Sequence, residues 1–415
     1  MKLQKILNRF QKLHKREIDL SLDRIKALCQ KLGNPQDKMR VISVVGTNAK
    51  FSTVAGMFSI LKEANIKCNV YTSPHILKIN ERFVFNNEEL NDDELANLFE
   101  EVEEINGGEN ATIFEMLTAC FLYKAAQYPE NINLVESGLF HRFDATNVFK
   151  NNLASVVCAC SKDHTDWLPE NDRTMKRIIY EKTSSLLNSN IIVAKQRDKE
   201  TMECIKKTIS KNQSNKYFFN EDFSFTNEEN GYWYYEDKFG GLKLEAPNVL
   251  GQFQLENIST AIATLRTLEL GISDNHIKKG ITKIKSIARL QEIKSGKLKD
   301  LVKNNKLIVD GSHNEHGAQV LNEYLETLDC NKHIICSMMS NKDHEKFISY
   351  FKKISSLTVT EMSTQPNAIK GKDLLEKFKN IPNVYYQENI EQAIRSIPLK
   401  EGDLIIVTGS LYFAS

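Results

Sequence analysis

The sequence predicts an α/β protein of two domains, each built on a mostly parallel β-sheet covered by helices. The chain has 415 residues, which is more than one hydrophobic core usually holds. Short apolar runs alternate with segments of helical periodicity, a pattern typical of parallel sheets. After a polar and basic stretch at 286–303 the alternation starts again. We therefore predict a larger domain at 1–286 and a smaller one at 287–415.

The strand pattern of the first domain begins at 41–45, a continuous apolar run typical of a strand buried on both faces. A helix is predicted at 52–64 from its spacing of apolar residues. Asn91 is a typical N-cap for a helix at 92–104. The remaining predicted elements are strands at 67–72, 132–136, 154–160 and 191–194, and helices at 112–126 and 255–270. Gly271 is expected to stop the last helix.

A different pattern occupies 217–245, where aromatic and polar residues alternate around Glu229, Asn230 and Gly231. This alternation predicts an antiparallel hairpin attached to the first sheet. The parallel-sheet pattern resumes in the second domain, with helices in the intervals between strands. Its strands are predicted at 307–310, 333–339, 357–361, 384–387 and 404–408.

Composition and charge exclude several classes of function. Lys and Arg total 55 against 54 Asp and Glu, so a broad nucleic-acid surface is not expected. No stretch approaches the roughly 18 apolar residues of a membrane-spanning helix, and the basic N-terminus lacks the apolar run of a signal peptide. The eight cysteines form no C-x-x-C pair. Free, reduced thiols in a cytoplasmic protein are therefore favoured over the alternative of zinc ligands.

A phosphate-binding loop is predicted where the first strand ends. The run Gly46-Thr47-Asn48-Ala49-Lys50-Phe51-Ser52-Thr53 joins that strand to a helix. The N–H groups of a helix N-terminus attract anions, and Lys50 adds a positive charge. The spacing departs from G-x-x-x-x-G-K-[ST], since Ala49 precedes Lys50 and Phe51 follows it. Taken alone, the run fits an ordinary strand–loop–helix connection equally well.

The loop and the motifs around it resemble, in order, those of the folylpolyglutamate synthase/dihydrofolate synthase family, which is related to the Mur peptide ligases. The loop is similar to the family's G-T-N-G-K-G-S-T. Similar segments follow the family's order along nearly the whole chain: 18–20, 32–35, 71–75, 80–82, 112–115, 136–139, 142–147, 163–165, 181–182, 254–257, 289–290, 310–314, 342–343 and 409–412. Any one of these motifs is weak evidence, whereas the ordered set is strong.

Three departures from the family pattern stand near the expected site. Ala49 and Phe51 replace loop glycines, Phe140-His141 replaces a Gly-Gly pair, and Gln252-Phe253 replaces Arg-His. An alanine forced into a left-handed conformation costs about 1 kcal/mol. That strain is tolerable for folding. A displacement of the phosphate-binding loop by about an ångström, in contrast, slows the reaction by orders of magnitude.

The resemblance implies a Mur-ligase-like α/β fold, with a large P-loop-type parallel-sheet ATPase domain and a smaller Rossmann-like C-terminal domain. It implies a cytoplasmic, ATP-dependent acid–amino-acid ligase that uses Mg²⁺, is a monomer, and binds neither nucleic acid nor membrane. Such a ligase adds L-glutamate to dihydropteroate, to folates, or to both, through an acyl phosphate. Two alternatives stay open: a related ligase acting on another carboxylic acid, and a regulatory relative whose phosphate loop has degenerated.

The resemblance also implies roles for particular residues. The expected catalytic residues are Lys50, His164 and Lys182, the last matching a lysine that is carbamylated in family members. The expected metal ligands are Ser52, Ser73, Glu136 and His164. The expected ATP contacts are Gly46, Thr47, Asn48, Ala49, Lys50, Ser52, Thr53, Asn257, Arg289, Asp310 and His313, with Asp310 facing ATP across an interdomain cleft. The expected substrate contacts are Ser73, Arg82, Phe114, Glu115, Arg142 and Asp144.

Without the resemblance, several of these residues have ordinary interpretations. A solvated acid at a strand end is then the favoured interpretation of Glu136, and His164 is a surface-loop histidine. Lys182 is equally an exposed helical lysine paired with a nearby acid, and Phe114 an ordinary core residue. The burial and contacts of each side chain decide between the two interpretations.

Overall fold

The structure, a computed structural model, describes residues 2–15, 19–228 and 231–415. The chain divides into two compact units. The first comprises Met1–Cys160, Trp167–Asn248 and Leu255–Ile284, and the second comprises Ser161–Asp166, Val249–Gln254 and Lys285–Ser415. Two short segments, Ser161–Asp166 and Val249–Gln254, therefore belong to the second unit. Both precede the domain boundary that the sequence predicts.

The first unit contains nine of the labelled helices and eleven strands among the described residues. Its helices are α1 (Lys2–Leu13), α2 (Asp23–Lys31), α3 (Lys50–Glu63), α4 (Asp92–Asn106), α5 (Ile113–Ala125), α6 (Met175–Thr183), α7 (Lys199–Thr208), α8 (Gln252–Arg266, whose first residues group with the second unit) and α9 (Asp274–Ile281). Its strands are β1 (Arg40–Val45), β2 (Cys68–Tyr71), β3 (Phe83–Phe85), β4 (Glu88–Glu89), β5 (Ile132–Glu136), β6 (Ala154–Val157), β7 (Asn190–Val193), β8 (Lys216–Phe218), β9 (Phe223–Asn227), β10 (Tyr232–Asp237) and β11 (Gly240–Glu245).

Eight strands form one sheet in the order β4-β3-β2-β5-β1-β6-β7-β8. The strands from β2 to β8 in this order pair in parallel, and β3 and β4 extend one edge antiparallel. Every residue of β1 after Arg40 is buried, as a strand covered by helices on both faces requires. The predicted parallel sheet is confirmed. Because β1 lies between β5 and β6, the loops that follow these three strands meet at one edge.

The prediction for 217–245 is wrong in part. Strand β8 joins the main sheet in parallel with β7, while β9, β10 and β11 form a separate three-stranded antiparallel sheet. A lone hairpin is marginally stable, whereas a third strand helps to bury the face that carries Trp233 and Tyr235. Residues Glu229 and Asn230 of the predicted turn lie outside the described residues, as does Ile18 of the motif at 18–20.

Of two predicted helix boundaries, one agrees with the structure and one differs. Asn91 caps α4 as expected, through its side chain and the N–H groups of Asp93 and Glu94. Helix α8, however, ends at Arg266, five residues before Gly271. The Thr267 hydroxyl donates to the Thr264 carbonyl at 2.7 Å, and such side-chain bonds compete with continued helix.

The second unit contains a six-stranded sheet in the order β12-β13-β17-β14-β15-β16, parallel except for β12. The five strands predicted here are confirmed, and β12 and α10 lie in the polar stretch where none was predicted. The strands are β12 (Gln291–Glu292), β13 (Lys306–Val309), β14 (Lys332–Cys336), β15 (Ser356–Thr360), β16 (Val384–Gln387) and β17 (Leu404–Thr408). The helices are α10 (Lys297–Val302), α11 (Glu315–Glu326), α12 (His344–Ile348), α13 (Gly371–Phe378) and α14 (Ile390–Ser396).

Helix α3, which follows the phosphate loop, packs closely against α9. A Cβ added to Gly280 would lie 2.7 Å from the Cα of Ile60. The Ser59 hydroxyl donates to the Gly280 carbonyl at 2.7 Å. The absence of a side chain at residue 280 therefore sets how closely the two helices pack.

We expect Gly280→Ala to destabilise the protein by about 1–3 kcal/mol, because the added methyl group overpacks the contact between the two helices. The sign is informative, since Gly→Ala inside a helix ordinarily stabilises by about 0.5–1 kcal/mol. Denaturant unfolding measures the change. Lys278→Ala, at an exposed position of the same helix, is the matched control. A stabilised Gly280→Ala protein would show that α9 does not pack this tightly.

Candidate active site

The loop between β1 and α3 is fixed by contacts with the chain that follows β6. The N–H groups of Thr47 and Asn48 both donate to the Ala159 carbonyl, at 2.9 and 3.1 Å. A Cβ added to Gly46 would lie 2.8 Å from the Cβ of Cys158, so only glycine fits at residue 46. These contacts hold the start of the loop independently of any ligand.

Ala49 has a left-handed backbone, with φ 71° and ψ −9°. Its carbonyl accepts a hydrogen bond from the Thr53 N–H at 2.9 Å and so closes the first turn of α3. The helix therefore begins at Lys50, two residues earlier than predicted. A left-handed backbone at an alanine reduces the stability of the protein by about 1–2 kcal/mol.

Lys50 and Glu136 lie side by side at this edge of the sheet. The Lys50 Nζ is 3.8 Å from the Glu136 Oε1 and donates to the carbonyls of Gly46 and Thr47 at 3.2 and 3.3 Å. Glu136 ends β5 with a residue exposure of 3%, so its interpretation as a solvated strand-end acid is wrong. A buried carboxylate beside a lysine and a helix N-terminus is suited to handling phosphate charge.

Two hydroxyls in the same unit supply further oxygen atoms. The Ser73 N–H donates to the Glu136 Oε2 at 3.3 Å, and the buried Ser73 Oγ has no hydrogen-bond partner within the protein. Ser52 is buried in the first turn of α3. A buried hydroxyl without a partner beside a carboxylate fits a hard divalent cation, which prefers oxygen ligands.

The remaining predicted metal ligand, His164, belongs to the second unit, and its participation stays a prediction. Among residues 2–15, 19–228 and 231–415, no group of three or more His, Cys, Asp or Glu side chains is placed to hold a metal ion. A cation at Glu136 would therefore complete its coordination with hydroxyls, phosphate oxygens and water. Such mixed coordination is typical of magnesium at nucleotide sites.

Lys182 lies in the last turn of α6 and is fully buried, at 2% exposure. Its Nζ donates to the Gly46 carbonyl at 3.0 Å and to the Leu139 carbonyl at 2.8 Å. The interpretation of Lys182 as an exposed helical lysine is therefore wrong. The side chain joins the phosphate loop to the loop that follows β5.

The preceding residue of α6, Glu181, holds that second loop through its backbone and its side chain. Its carbonyl accepts the N–H groups of His141 and Arg142 at 3.1 and 2.9 Å. Its carboxylate pairs with Arg142 at 3.1 Å and with Arg177 at 2.7 Å. Burial, followed by the charge of Lys182, lowers the pKa of His141 to about 4. His141 is thus neutral at physiological pH.

Asp144 organises the same loop from within. Its carboxylate accepts the N–H groups of Gly138, Leu139 and Thr146, each at 3.0 Å. Burial raises the pKa of Asp144, and these hydrogen bonds act against that rise. A Cβ added to Gly138 would lie 2.6 Å from the ring of Phe114, so Phe114 packs directly on the loop backbone.

Two other predicted substrate residues also hold the protein's own groups. The Glu115 carboxylate accepts the Thr112 N–H at 2.7 Å and pairs with Arg24 at 3.0 Å, which fixes the start of α5. The Arg82 Nε donates to the His75 Nδ1 at 3.0 Å. Substrate contact stays a prediction for all six: Ser73, Arg82, Phe114, Glu115, Arg142 and Asp144.

Two more predicted ATP contacts have identifiable surroundings in the first unit. Thr53 is fully buried, and the Cys158 Sγ lies 3.5 Å from its Oγ1, which indicates a packing role. Asn257 is buried in α8, next to Glu256, which pairs with Lys195 at 2.6 Å. Contact with the nucleotide stays a prediction for both Thr53 and Asn257.

The second unit has its own cluster of charged groups, centred on Asp163. Its carboxylate lies 2.7 Å from the Lys342 Nζ, accepts from the Asn314 side chain at 3.0 Å, and lies 3.4 Å from the His313 Nε2. Burial alone would raise the pKa of Asp163. The hydrogen bond from His313 and the charges of His164, His313 and Lys342 outweigh that effect and hold this pKa far below its ordinary value.

Asp310, Arg289 and His313 lie in the same unit. The Asp310 carboxylate accepts the N–H groups of Leu290 and Ser312, at 2.9 and 3.0 Å. The Arg289 Nη1 donates to the Ala288 carbonyl at 2.9 Å. Contact of Asp310, Arg289 and His313 with ATP stays a prediction. Asp163 and Lys342 were not among the predicted site residues, because 179 positions separate them in sequence.

Comparison with known proteins shows which proteins this chain resembles. A profile described as "Mur ligase, glutamate ligase domain" matches residues 296–411. The dihydrofolate synthase/folylpolyglutamate synthase of Bacillus subtilis is 29% identical, aligned over 95% of this chain and 93% of that protein. The structure of Escherichia coli FolC in complex with DHPP and ADP has a TM-score of 0.88 and 27% identity, covering 99% of this chain and 95% of that one. Over nearly its whole length the chain is similar, in sequence and in fold, to dihydrofolate synthase/folylpolyglutamate synthases.

Two further proteins show the same similarity. The Escherichia coli dihydrofolate synthase/folylpolyglutamate synthase is 28% identical over 98% of this chain and 92% of that protein. A Yersinia pestis bifunctional folylpolyglutamate synthase/dihydrofolate synthase, complexed with AMPPNP and Mn ion, has a TM-score of 0.87 at 25% identity over 99% of this chain and 96% of that one. The predicted resemblance to this family and the predicted Mur-ligase-like α/β fold are confirmed.

Replacing the left-handed alanine tests the geometry of the phosphate loop in this chain. We expect Ala49→Gly to stabilise the protein by about 1 kcal/mol, because glycine adopts a positive φ without the penalty that alanine incurs. Thermal unfolding measures the gain. Ala64→Gly, at the other end of α3 with φ −80°, is the matched control and is expected to destabilise. Equal losses from both variants would mean that Ala49 is not left-handed.

The Asp163 cluster gives a pH-dependent prediction. Asp163→Asn removes the negative charge beside Lys342 and is expected to cost about 3 kcal/mol at neutral pH. Because folding lowers the pKa of Asp163, its contribution is complete above the ordinary value of 3.8 and declines as the pH falls below it.

The stabilities of the native protein and Asp163→Asn should therefore converge in acid, as followed by unfolding at a series of pH values. Asp166→Asn, at an exposed position of the same segment, should change stability little at any pH. A stability difference at Asp163 that did not shrink in acid would contradict the ionic account.

Proposed function

We propose that this protein is an ATP-dependent ligase that adds L-glutamate to dihydropteroate, to a folate, or to both. The expectation of an ATP-dependent acid–amino-acid ligase is supported by the relatives named dihydrofolate synthase/folylpolyglutamate synthase. It is also supported by neighbouring structures that contain ADP, DHPP or AMPPNP. The placement of the buried Glu136 carboxylate 3.8 Å from the Lys50 Nζ carries the proposal.

The reaction proceeds in two steps. The γ-phosphoryl group of ATP passes to the carboxylate of the pteroate or folate, which yields ADP and an acyl phosphate. The amine of glutamate then attacks the acyl carbon, phosphate leaves, and an amide bond forms. Little covalent work falls to the protein in phosphoryl transfer, so its task is to position the reactants and to stabilise charge.

The residues of the phosphate loop perform that task. Lys50 is the side-chain cation of the loop and neutralises charge on the transferred phosphoryl group. The N-terminus of α3 adds its positive end and backbone donors. The contacts of Ala159 with the loop and of Lys182 with Gly46 hold the backbone in place before ATP binds. A cradle fixed in advance needs no reorganisation during the reaction.

We propose Mg²⁺ as the divalent cation, held by Glu136, Ser52 and Ser73, with His164 as the further predicted ligand. The buried Ser73 hydroxyl without a hydrogen-bond partner supports this assignment. So does the Mn ion in the structure of the Yersinia pestis enzyme. When bound, such a cation neutralises phosphate charge during the transfer.

We also propose that the protein is cytoplasmic and that its substrates are small molecules. Within the described residues, no helix combines the length and the apolar character that a membrane crossing needs. All eight cysteines are free thiols, which supports a location in the reducing cytoplasm. The balance of 55 basic and 54 acidic residues supports small-molecule substrates over nucleic acid. We propose a monomer.

An assay of the purified protein tests the function. With dihydropteroate or tetrahydrofolate, ATP, Mg²⁺ and glutamate, we expect ADP, phosphate and a glutamylated product. Without glutamate, hydroxylamine should trap the acyl phosphate as a hydroxamate. Lys50→Ala and Glu136→Gln should each lower the rate by about a hundredfold or more, because each removes a group that manages transition-state charge.

The exposed Lys62→Ala and Glu130→Gln provide the matched controls and should retain the native rate. Formation of AMP and pyrophosphate would contradict the acyl phosphate route. A folded native protein without turnover on either pteroate or folate acids, in which Ala49→Gly restores activity, would show that the loop of this chain has degenerated.

A further inference from the structure

A chain of hydrogen bonds in the loop after β5 runs from a carboxylate to an imidazole. The Asp144 carboxylate accepts the Thr146 hydroxyl at 2.6 Å. The Thr146 Oγ1 lies 3.3 Å from the Ser137 Oγ, which lies 3.1 Å from the His141 Nδ1. All four residues are at most 4% exposed. Because the family pattern has a glycine where this chain has His141, the imidazole at the end of the chain is a feature of this protein.

The carboxylate at the start of this chain is ionised. Its Oδ2 accepts the N–H groups of Gly138 and Leu139, and its Oδ1 accepts the N–H and the hydroxyl of Thr146. An ionised carboxylate offers about four acceptor positions. Since four donors occupy them, the Asp144 carboxylate keeps no position for a proton of its own.

The ionised carboxylate fixes the direction of each later hydrogen bond. A hydroxyl carries one proton, and the Thr146 hydroxyl donates its proton to Asp144. The Ser137 hydroxyl must therefore donate to the Thr146 Oγ1. Ser137 then has no proton left for the imidazole, so the His141 Nδ1–H donates to the Ser137 Oγ. The chain thus selects the tautomer of His141 that is protonated at Nδ1.

The other ring nitrogen of His141 is left as an acceptor. Burial lowers the pKa of His141 to about 4, so Nε2 carries a lone pair at neutral pH. Within the described part of the chain, the hydrogen bond of the His141 ring is the one between Nδ1 and Ser137. A buried acceptor without a donor weakens the fold. A donor from a ligand or from water would satisfy Nε2.

We propose that the His141 Nε2 accepts a hydrogen bond from an N–H group of the acid substrate, and that the chain from Asp144 holds the imidazole in the tautomer that this contact requires. The loop that carries His141 begins directly after Glu136. A Cβ added to its Gly138 would lie 2.6 Å from the Phe114 ring. The loop thus joins the carboxylate proposed to handle phosphate charge to a backbone packed on an aromatic ring.

The contact makes His141 a specificity-determining residue. A site that offers a buried acceptor discriminates against acids that lack a matching donor, because the acceptor is then left unpaired. His141 should therefore favour acids with N–H groups, such as pteroates and folates, over apolar aromatic acids of similar size. This contact rests on the proposed function, whereas the tautomer of His141 does not.

The tautomer is measured on the native protein without any substrate. In protein labelled with ¹⁵N in the histidine rings, NMR at neutral pH should show His141 protonated at Nδ1 and unprotonated at Nε2. His141→Gln assigns the two signals by removing them. A proton on Nε2 would overturn the proposal.

Two serine variants test whether the chain selects the tautomer. Ser137→Ala removes the acceptor of the Nδ1–H group and should allow both tautomers to form. Ser184→Ala, at an exposed position, is the matched control and should keep the native tautomer. An unchanged tautomer in Ser137→Ala would overturn the role of the chain.

Two amide variants separate the two ring nitrogens. In His141→Asn the amide nitrogen takes the place of Nδ1 and can still donate to Ser137, but no acceptor stands at Nε2. In His141→Gln the amide oxygen reaches the place of Nε2 and can still accept. We expect His141→Asn to bind dihydropteroate about tenfold more weakly than the native protein. His141→Gln should retain most of the affinity, and both variants should bind ATP like the native protein.

A purely structural role for His141 predicts a different pattern. Binding of dihydropteroate by His141→Asn with native affinity would show that Nε2 meets water or nothing, and would overturn the contact. A raised KM for glutamate at unchanged dihydropteroate affinity would place Nε2 against the glutamate amine, and would overturn its assignment to the acid.

A titration of the native protein covers the case in which His141→Asn does not fold, as judged by circular dichroism. Saturating dihydropteroate should shift the ¹⁵N signal of the His141 Nε2, because that nitrogen gains a hydrogen bond. An unshifted signal would overturn the contact. A native protein that binds neither dihydropteroate nor tetrahydrofolate would count against the proposed function and against this contact. The measured tautomer would still decide whether the chain from Asp144 controls His141.

Discussion

Two lysine ammonium groups share the carbonyl oxygen of Gly46 at the end of β1. Lys50 reaches it from the first turn of α3, and Lys182 reaches it from the last turn of α6. The N-terminus of α3 adds a third source of positive potential. Like charges brought together in a partly buried place repel unless an anion balances them. The Glu136 carboxylate, 3.8 Å from Lys50, supplies part of that balance, and bound phosphate would supply more. The site thus favours polyanions before any specific contact is made.

Hydrogen bonds with residues outside the phosphate loop hold its backbone. They explain how the loop tolerates residues that the family pattern does not contain. Gly46 is held by Lys182, and Thr47 and Asn48 are held by the Ala159 carbonyl. A strained residue such as Ala49 persists only where its surroundings over-determine the backbone. Here the anchored residues on one side and α3 on the other leave residue 49 no alternative conformation. The strain reduces stability while these contacts hold the loop backbone in place, which explains how an alanine can occupy this position.

The sequence predicted the parts of the molecule whose signals are local. Strands buried on both faces, such as β1, appear as continuous apolar runs, and the Asn91 cap is a neighbour of the helix it starts. Contacts distant in sequence gave no such signal. Asp163 and Lys342 are far apart along the chain, and the partners of Lys182 lie on two loops. The three-stranded sheet of β9 to β11 was mistaken for a hairpin, because alternation shows that strands pair but not how many do so.

Two motif carboxylates hold backbone N–H groups of the loops around them. Asp144 accepts three N–H groups of its own loop, and Asp310 fixes Leu290 and Ser312. A buried carboxylate must be paired or hydrogen-bonded to remain charged, and backbone N–H groups meet that need without a ligand. Glu136 differs, because it has a lysine and a partnerless hydroxyl beside it. Since the backbone around Asp144 and the backbone around Asp310 depend on these carboxylates, removing either carboxylate would alter the loop that it holds. Glu136 is the carboxylate of this set whose surroundings include groups suited to a ligand's charge.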